Sequence, residues 1–204
     1  MKAIAGTGHV LSGTVDLDEA PLDLRSRGRG ILAGVAYCSP DRKRDGIFRG
    51  VSIQHNLSSP WVRRFSRFGV VNRKQETAEA LRGASHFAID QTRMQALVGN
   101  LSGGNQQKVA VGKWLGIRPR VLMVEEPTRG VDVGARAEIY LQLRHLCESG
   151  VGVIVSSSDT NEVLGLSDTV ATYYRGTQTV IKPASEWTEQ ELVREVMHRE
   201  ETLV

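Results

Sequence analysis

The chain has 204 residues, a length that suits one domain, or one domain with a small subdomain, and that can bury a sizeable core. Hydrophobic residues make up 40% and charged residues 24%, as in an ordinary globular protein. The net charge of +3 is mild and scattered, so charge alone does not indicate a nucleic-acid-binding surface. No apolar run reaches the roughly 18 residues that a membrane span needs.

The cysteine content and the N-terminus point to the same cellular compartment. Cys38 and Cys147 lack the spacing of metal ligands, and two thiols do not make a disulfide framework. We expect both to be small buried hydrophobic residues. The apolar part of the N-terminus is too short for a secretory signal, so the sequence predicts a cytoplasmic protein.

The predicted elements begin with two strands. In residues 12–18, Val15 and Leu17 alternate as a half-buried strand requires. Apolar residues 31–37 predict a second strand. The charged segment of residues 39–46 follows, and it is either a surface turn or a loop that contacts a partner.

The next part of the chain is polar and rich in helix formers. Ser52 is a candidate N-cap for a short helix, and Asn72 for a helix that extends to about residue 81. Between these helices lie three aromatic residues in a protein with only 5% aromatics, Trp61, Phe65 and Phe68. They are either core residues or anchors for docking on a partner.

Beyond residue 100, helices and strands alternate, which indicates a parallel sheet. The predicted elements are a helix over residues 102–117, a strand over 121–124, a helix over 135–147 with Gly150 as its cap, a strand over 151–155, and a hairpin over 169–174 and 177–181. Thr188 and Glu191 form a capping box for a last helix that ends near Glu200.

Two stretches of this half carry the chemistry. Residues 101–108, LSGGNQQK, put a hydroxyl and two glycines at the start of a predicted helix, where unpaired backbone N–H groups and the helix dipole can hold an anion. Residues 121–128, VLMVEEPT, deliver two carboxylates to the carboxyl edge of the sheet, where open α/β sheets bind ligands. The pair predicts a phosphate contact and a site for a metal ion and water.

Both stretches resemble the signature motif and the Walker B segment of the ATP-binding cassette (ABC) family. LSGGNQQK followed by EEPTRGVDVGAR is most similar to the second ATP-binding half of the ATPase subunit of bacterial sugar importers, and the resemblance extends from about residue 12 to the C-terminus. It implies an α/β fold: an ABC-type P-loop NTPase core with a mostly parallel sheet, an N-terminal antiparallel β remnant and an inserted helical subdomain over about residues 51–115. All of this would form one nucleotide-binding domain over residues 1–204.

The resemblance implies that the signature segment acts on a nucleotide held by another cassette. Two cassettes of this family close head to tail, so Ser102, Gly103 and Gly104 would donate to the γ-phosphate of an ATP bound by the partner. Gln106 is assigned to the same nucleotide site. By the same resemblance, residues 39–46 would be a coupling loop that faces the permease.

The resemblance also implies roles around the chain's own nucleotide. Glu126 would be the catalytic carboxylate that polarises the attacking water. Glu125 would join the Mg²⁺ shell, where the family usually has aspartate, and its extra methylene changes the reach of the carboxylate toward an ion that demands close octahedral geometry. Asp132 would order the dimer interface, and Ser158 occupies the place of a histidine that contacts the γ-phosphate.

The phosphate loop of this family, G-x-x-x-x-G-K-[ST], does not occur in the sequence. The only Gly-Lys pair, Gly112-Lys113, is followed by Trp114 and lies inside a predicted helix, and the Gly-Thr-Gly of residues 6–8 lacks the lysine. We therefore expect either a sequence cut after the loop or a degenerate protein, with negligible ATPase activity of its own.

Three functional hypotheses follow from the resemblance. The first is the ATP-binding half of a sugar importer, with ATP and Mg²⁺ as cofactors, on the cytoplasmic face of the membrane, where it would bind a second cassette, a permease and indirectly a sugar-binding protein. The second is a catalytically silent module that completes or regulates a partner's site. The third, a cassette acting on DNA or ribosomes, is disfavoured because NQQK and TRGVDVGAR resemble importers.

Overall fold

The computed structural model describes residues 1–197, which form two compact units, Met1–Ile154 and a second unit that begins at Val155. The helices are α1 (Arg27–Leu32), α2 (Ile53–Ser58), α3 (Arg73–His86), α4 (Gly103–Gly112), α5 (Val133–Glu148), α6 (Thr160–Leu166) and α7 (Glu189–Met197). The strands are β1 (Asp16–Leu17), β2 (Ala20–Pro21), β3 (Val35–Cys38), β4 (Ser66–Arg67), β5 (Val70–Val71), β6 (Val121–Glu125), β7 (Gly152–Ser156), β8 (Thr169–Tyr174) and β9 (Thr177–Pro183). None of the described helices is long and apolar enough to cross a membrane.

A three-stranded sheet in the order β3-β6-β7 organises the site. β3 and β6 are parallel, and their last register pair is Cys38 with Val124. Both strands are runs of apolar residues that are mostly buried, as expected where both faces of a sheet are covered. The register means that Ser39 and Glu125 leave the sheet at the same edge.

The strand predicted over residues 31–37 is wrong in its first part. Ser26 accepts a hydrogen bond from the amide of Arg29 and caps α1, which continues to Leu32. Gly34 then turns the chain into β3 with a φ of +90°, a conformation that glycine adopts without strain. The apolar run therefore serves two elements, because a turn residue divides it.

The N-terminal hairpin is confirmed, although its strands are short. β1 pairs with β2 in an antiparallel manner, and Val15 and Leu17 are half-buried as the alternation predicted. Asp18 and Glu19 connect the strands with φ of +48° and +63°. Two left-handed residues match the twist of a tight hairpin.

Both N-caps predicted between residues 52 and 72 are confirmed. Ser52 accepts from the amide of His55 at the start of α2, and Asn72 accepts from the amide of Gln75 at the start of α3. α3 continues to His86, five residues beyond the expected end.

The three aromatic residues of this part have different environments. Trp61 is only 5% exposed, and its indole Nε1 donates to the carbonyls of Leu57 and Lys113. Its ring packs edge to face against Phe65, with the two ring centres 4.6 Å apart. Phe68 is 93% exposed. Packing therefore explains the first two aromatics and leaves the third without a role in the core.

The helix and strand alternation beyond residue 100 is confirmed, with two differences. α4 ends at Gly112, and a short 3₁₀ turn continues to Ile117. Of the apolar residues predicted to recur along α5, Ile139, Leu143 and Leu146 are buried and Ala135 is half-buried. Cys147 is exposed, which corrects both its place in the apolar stripe and the expectation that both thiols are buried. Cys147 lies one residue beyond the end of the stripe, where 100° of rotation turns it toward solvent.

In the second unit, β8 and β9 form the predicted hairpin across Arg175 and Gly176. The capping box of the last helix is also confirmed, since the Thr188 hydroxyl accepts from the amide of Glu191 while the Glu191 carboxylate accepts from the amide of Thr188. The predicted helix end near Glu200 lies outside the described residues.

The two thiols should differ sharply in reactivity. Burial raises the pKa of Cys38 to about 12, so at pH 8 only about one thiol in ten thousand is a thiolate, and only 5% of the residue is exposed. We expect native protein to take up one equivalent of iodoacetamide, at Cys147, and unfolded protein to take up two. Peptide mapping after alkylation with and without urea measures this, and rapid labelling of Cys38 in native protein would contradict it.

Candidate functional site

The signature segment lies where the sequence predicted, at the start of a helix. Ser102 is the N-cap of α4, and its hydroxyl accepts from the amide of Asn105 at 3.4 Å. Ser102 itself is exposed, whereas Gly103 and Asn105 in the first turn of this ten-residue helix are half-buried and Gly104 is buried. The unpaired amides and dipole of such a helix end favour an anion.

The two glycines let this helix end approach the segment that follows β6. A methyl group on Gly103 would lie 2.6 Å from the carbonyl oxygen of Gly130, and one on Gly104 would lie 2.5 Å from the Cβ of Ala135. Both distances are far below van der Waals contact. Glycine is therefore required at both positions for packing against the chain's own loop at Gly130 and the start of α5, whatever the segment binds.

Two further residues of the signature segment hold the fold. The Gln106 side chain is buried, and its amide Nε2 donates to the carbonyls of Val98 and Leu101 at 3.3 and 3.1 Å. Lys108 is buried and forms an ion pair with Glu138 of α5. The sequence assigned Gln106 to the nucleotide site, whereas its contacts within the described residues are with the loop that leads into α4.

Arg42 links the charged segment after β3 to the segment that follows β6. Its guanidinium donates to the carbonyl oxygens of Arg129 and Gly130, at 2.5 and 3.1 Å. Desolvation lowers the pKa of Arg42, as expected for a cation turned toward the protein. The sequence predicts a surface turn or a partner-contacting loop over residues 39–46 and does not indicate this contact, since no local pattern points to a partner 87 residues away.

Replacing Arg42 should loosen this junction. We expect Arg42→Gln to lower the free energy of unfolding by about 2 kcal/mol, because two carbonyls lose a charged donor. Lys43→Gln is the matched control: Lys43 is an exposed neighbour, and its change should stay within about 0.5 kcal/mol. Urea titrations of both variants compare the two, and equal losses would contradict a specific role for Arg42.

The two carboxylates after β6 differ in backbone geometry. Glu125 ends the strand, and Glu126 follows in the left-handed region with a φ of +51°, an uncommon conformation for a non-glycine residue. Both are half-buried. Burial and, second, the negative charge of Glu125 raise the pKa of Tyr37 to about 12.

Asp132 and Ser158 lie in different units. Asp132 is the exposed N-cap of α5 and accepts from the amide of Ala135 at 3.0 Å, beside the glycines of α4. Ser158 is an exposed residue of the second unit, between β7 and the N-cap Asp159 of α6. The first unit thus brings together the signature segment, Arg42 and Asp132, with Glu125 and Glu126 at the carboxyl end of β6.

A parallel sheet with two carboxylates at the end of a buried strand, and a glycine-bearing helix start beside the next loop, defines an α/β protein of the kind that binds ligands at the carboxyl edge of its sheet. The family described as ABC transporter matches residues 1–129, and relatives at 37–40% identity align over most of the chain. The chain belongs to the ABC transporter family.

The curated relatives and solved structures agree with this assignment. Ribose import ATP-binding protein RbsA of Lactococcus lactis subsp. cremoris is 39% identical over 176 residues, covering 86% of this chain and 36% of the relative. Ribose import ATP-binding protein RbsA 2 of Rhizobium etli is 40% identical over 194 residues, covering 95% of this chain and 38% of the relative. The chain therefore spans a little over a third of the length of these relatives.

Two solved structures confirm the predicted fold class. A nucleotide-free ATP-binding cassette from an ABC transporter has a TM-score of 0.77 at 15% identity, covering 89% of this chain and 74% of that chain. The cassette MJ0796, in a dimeric post-hydrolysis state bound to ADP and Pi, has a TM-score of 0.73 at 18% identity, covering 90% of this chain and 78% of that chain.

Proposed function

We propose that this chain is part of the ATP-binding subunit of a carbohydrate importer and couples ATP binding and hydrolysis to sugar uptake. The observation that carries the proposal is the intact signature face: exposed Ser102 caps α4 beside Asp132, in a chain whose relatives are named as ribose import proteins. An importer half needs this face, because it completes a nucleotide site that another cassette provides.

The signature face fits the phosphate end of ATP. Ser102 offers a solvent-facing hydroxyl, and the first turn of α4 offers backbone amides at the positive end of a helix dipole. Gly103 and Gly104 keep this turn packed on the segment after β6, so the donors are preorganised. Gln106 would support them by holding the loop before the helix.

The acidic residues fit Mg²⁺ and a water molecule. Carboxylate oxygens are the ligands that Mg²⁺ prefers, so Glu125 would hold the ion and Glu126 would orient water at the same sheet edge. Bound Mg²⁺ would neutralise phosphate charge. Asp132 would order the dimer interface from the cap of α5, and Ser158 would take the place of the γ-phosphate-contacting histidine without supplying its imidazole.

The partners follow from this arrangement. A second cassette in head-to-tail contact would supply the phosphates that face Ser102, and a permease would receive residues 39–46 and the helical subdomain of about residues 51–115. A sugar-binding protein would act on the permease from outside, with this chain on the cytoplasmic membrane face. We propose no nucleic-acid partner.

The 204-residue polypeptide alone should hydrolyse ATP at background rate, since its sequence has no phosphate loop to wrap the phosphates. A phosphate-release assay should give the same rate for the wild type and for Glu126→Gln. Turnover above background that disappears in Glu126→Gln would contradict this expectation.

The function itself is tested in a chimera that restores the missing loop. The matched 176 residues of the L. lactis ribose import protein are replaced by those of this chain, and ribose uptake is measured in cells that lack their own importer. Uptake well above the empty-vector level supports the proposal. A chimera that is expressed and binds ATP but imports nothing favours the silent module instead.

A further inference from the structure

The hairpin formed by β4 and β5 carries an apolar tip that the fold does not use. Phe68 and Gly69 connect the strands with φ of +51° and +79°, the two left-handed residues of a tight hairpin turn. Phe68 is 93% exposed and Val70 is 73% exposed. A bulky aromatic is uncommon in this backbone region, and here no burial compensates for it.

The base of the hairpin is fixed to the rest of the first unit. The guanidinium of Arg64 donates to the carbonyl of Gly116 at 2.7 Å, and the amide of Asn72 donates to the carbonyl of Phe65 at 2.8 Å. Phe65 in turn packs against buried Trp61. The tip is therefore presented by an ordered support.

The chain segment that carries the tip is cationic. The sequence has no acidic residue between Asp45 and Glu76. Arg73 pairs with buried Glu76, whereas the exposed Arg63, Arg67 and Lys74 have no carboxylate partner among the described residues. Among the described contacts, the Arg67 guanidinium lies 5.5 Å from the centre of the Phe68 ring.

We propose that one part of the helical subdomain, the hairpin of residues 62–74, binds the surface of an anionic lipid bilayer and not the permease. Phe68 and Val70 enter the headgroup region, and Arg63, Arg67 and Lys74 lie against lipid phosphates. Exposed aromatic and aliphatic side chains flanked by cations are the combination that interfacial membrane binding uses. A protein partner fits less well, because a specific interface needs about 800 Å² from each side and two apolar side chains at a tip supply little of it.

Co-sedimentation with vesicles tests the proposal without any transport partner. The 204-residue chain is mixed with phosphatidylcholine vesicles that contain, or lack, about a third phosphatidylglycerol. We expect binding to the anionic vesicles only, weakening with salt. Arg63→Gln combined with Arg67→Gln should weaken it about 30-fold, since each cation near such a surface contributes roughly a factor of five.

The aromatic tip is tested separately. Phe68→Asn should keep the turn, because asparagine tolerates the left-handed conformation, and should weaken binding about fivefold or more by removing a buried ring. Leu32→Asn, at a residue of α1 that is 89% exposed, is the matched control and should bind as the wild type does.

Absence of binding to the anionic vesicles overturns the proposal. Equal binding of Phe68→Asn and wild type overturns the insertion of the tip. Binding of the chain to an acidic protein or a nucleic acid, without binding to the vesicles, would overturn the proposal and assign the hairpin to that partner instead.

Discussion

The Gly116→Ala variant is expected to be less stable than the wild type by about 3 kcal/mol, the upper end of the usual cost of overpacking. A methyl group at this position would lie 1.9 Å from Cε2 of Trp61. The indole ring cannot move aside cheaply, because it is buried and donates its N–H to two carbonyls. The variant therefore has to displace Trp61 or the turn after α4.

A second glycine provides the control for backbone effects. Gly83 lies inside α3, where an added methyl group would meet nothing closer than a carbonyl oxygen at 3.7 Å. Gly83→Ala should raise stability by about 0.5–1 kcal/mol, since alanine favours the helix. Urea unfolding of both variants should show shifts of opposite sign. A neutral Gly116→Ala would contradict the packing described for Trp61.

Gly104→Ala should disturb the candidate site itself, at a cost of about 1–3 kcal/mol. The added methyl group would lie 2.5 Å from the Cβ of Ala135, so the starts of α4 and α5 would be forced apart. Gly134→Ala, one residue before that contact, should be nearly neutral, because its methyl group would lie 3.6 Å from the closest side-chain atom.

The contact between positions 104 and 135 can be tested with a second substitution that restores stability. Ala135→Gly removes the opposing methyl group, so the double variant Gly104→Ala, Ala135→Gly should recover most of the stability lost in Gly104→Ala. A double-mutant cycle from urea unfolding gives the coupling, expected at about 1 kcal/mol or more for residues in contact. Additive losses would show that the helix starts do not meet at these two residues.

Local signals predicted much of the fold. Ser52, Asn72 and the Thr188–Glu191 box marked helix starts correctly, because a side-chain oxygen that accepts from a backbone amide two or three residues on is a local event. The sequence also indicates α5 and β6 clearly. The helical spacing of apolar residues in α5 marks its one buried face, and the continuous apolar run of β6 marks a strand that is buried on both faces.

Long-range contacts were out of reach of the same reasoning. Arg42 donates hydrogen bonds to backbone carbonyls beyond β6, and the side-chain amide of Gln106 donates to the loop before α4. No sequence pattern indicates either acceptor. The division of residues 31–37 between α1 and β3 depended on Gly34, which sequence reasoning did not recognise as a turn within an apolar run. The roles of Ser102, Glu125 and Glu126 stay predictions that the geometry supports.

The central claim is that Ser102 acts on a nucleotide held by another cassette, and the purified chimera with a restored phosphate loop tests it most directly. ATP hydrolysis and ATP affinity are measured for the chimera and for its Ser102→Arg variant. We expect hydrolysis to fall about 100-fold, as when a donor to a developing charge is removed, while the affinity for ATP stays unchanged and stability falls by only the roughly 1 kcal/mol that loss of a helix N-cap costs. Unchanged hydrolysis in Ser102→Arg would contradict the claim.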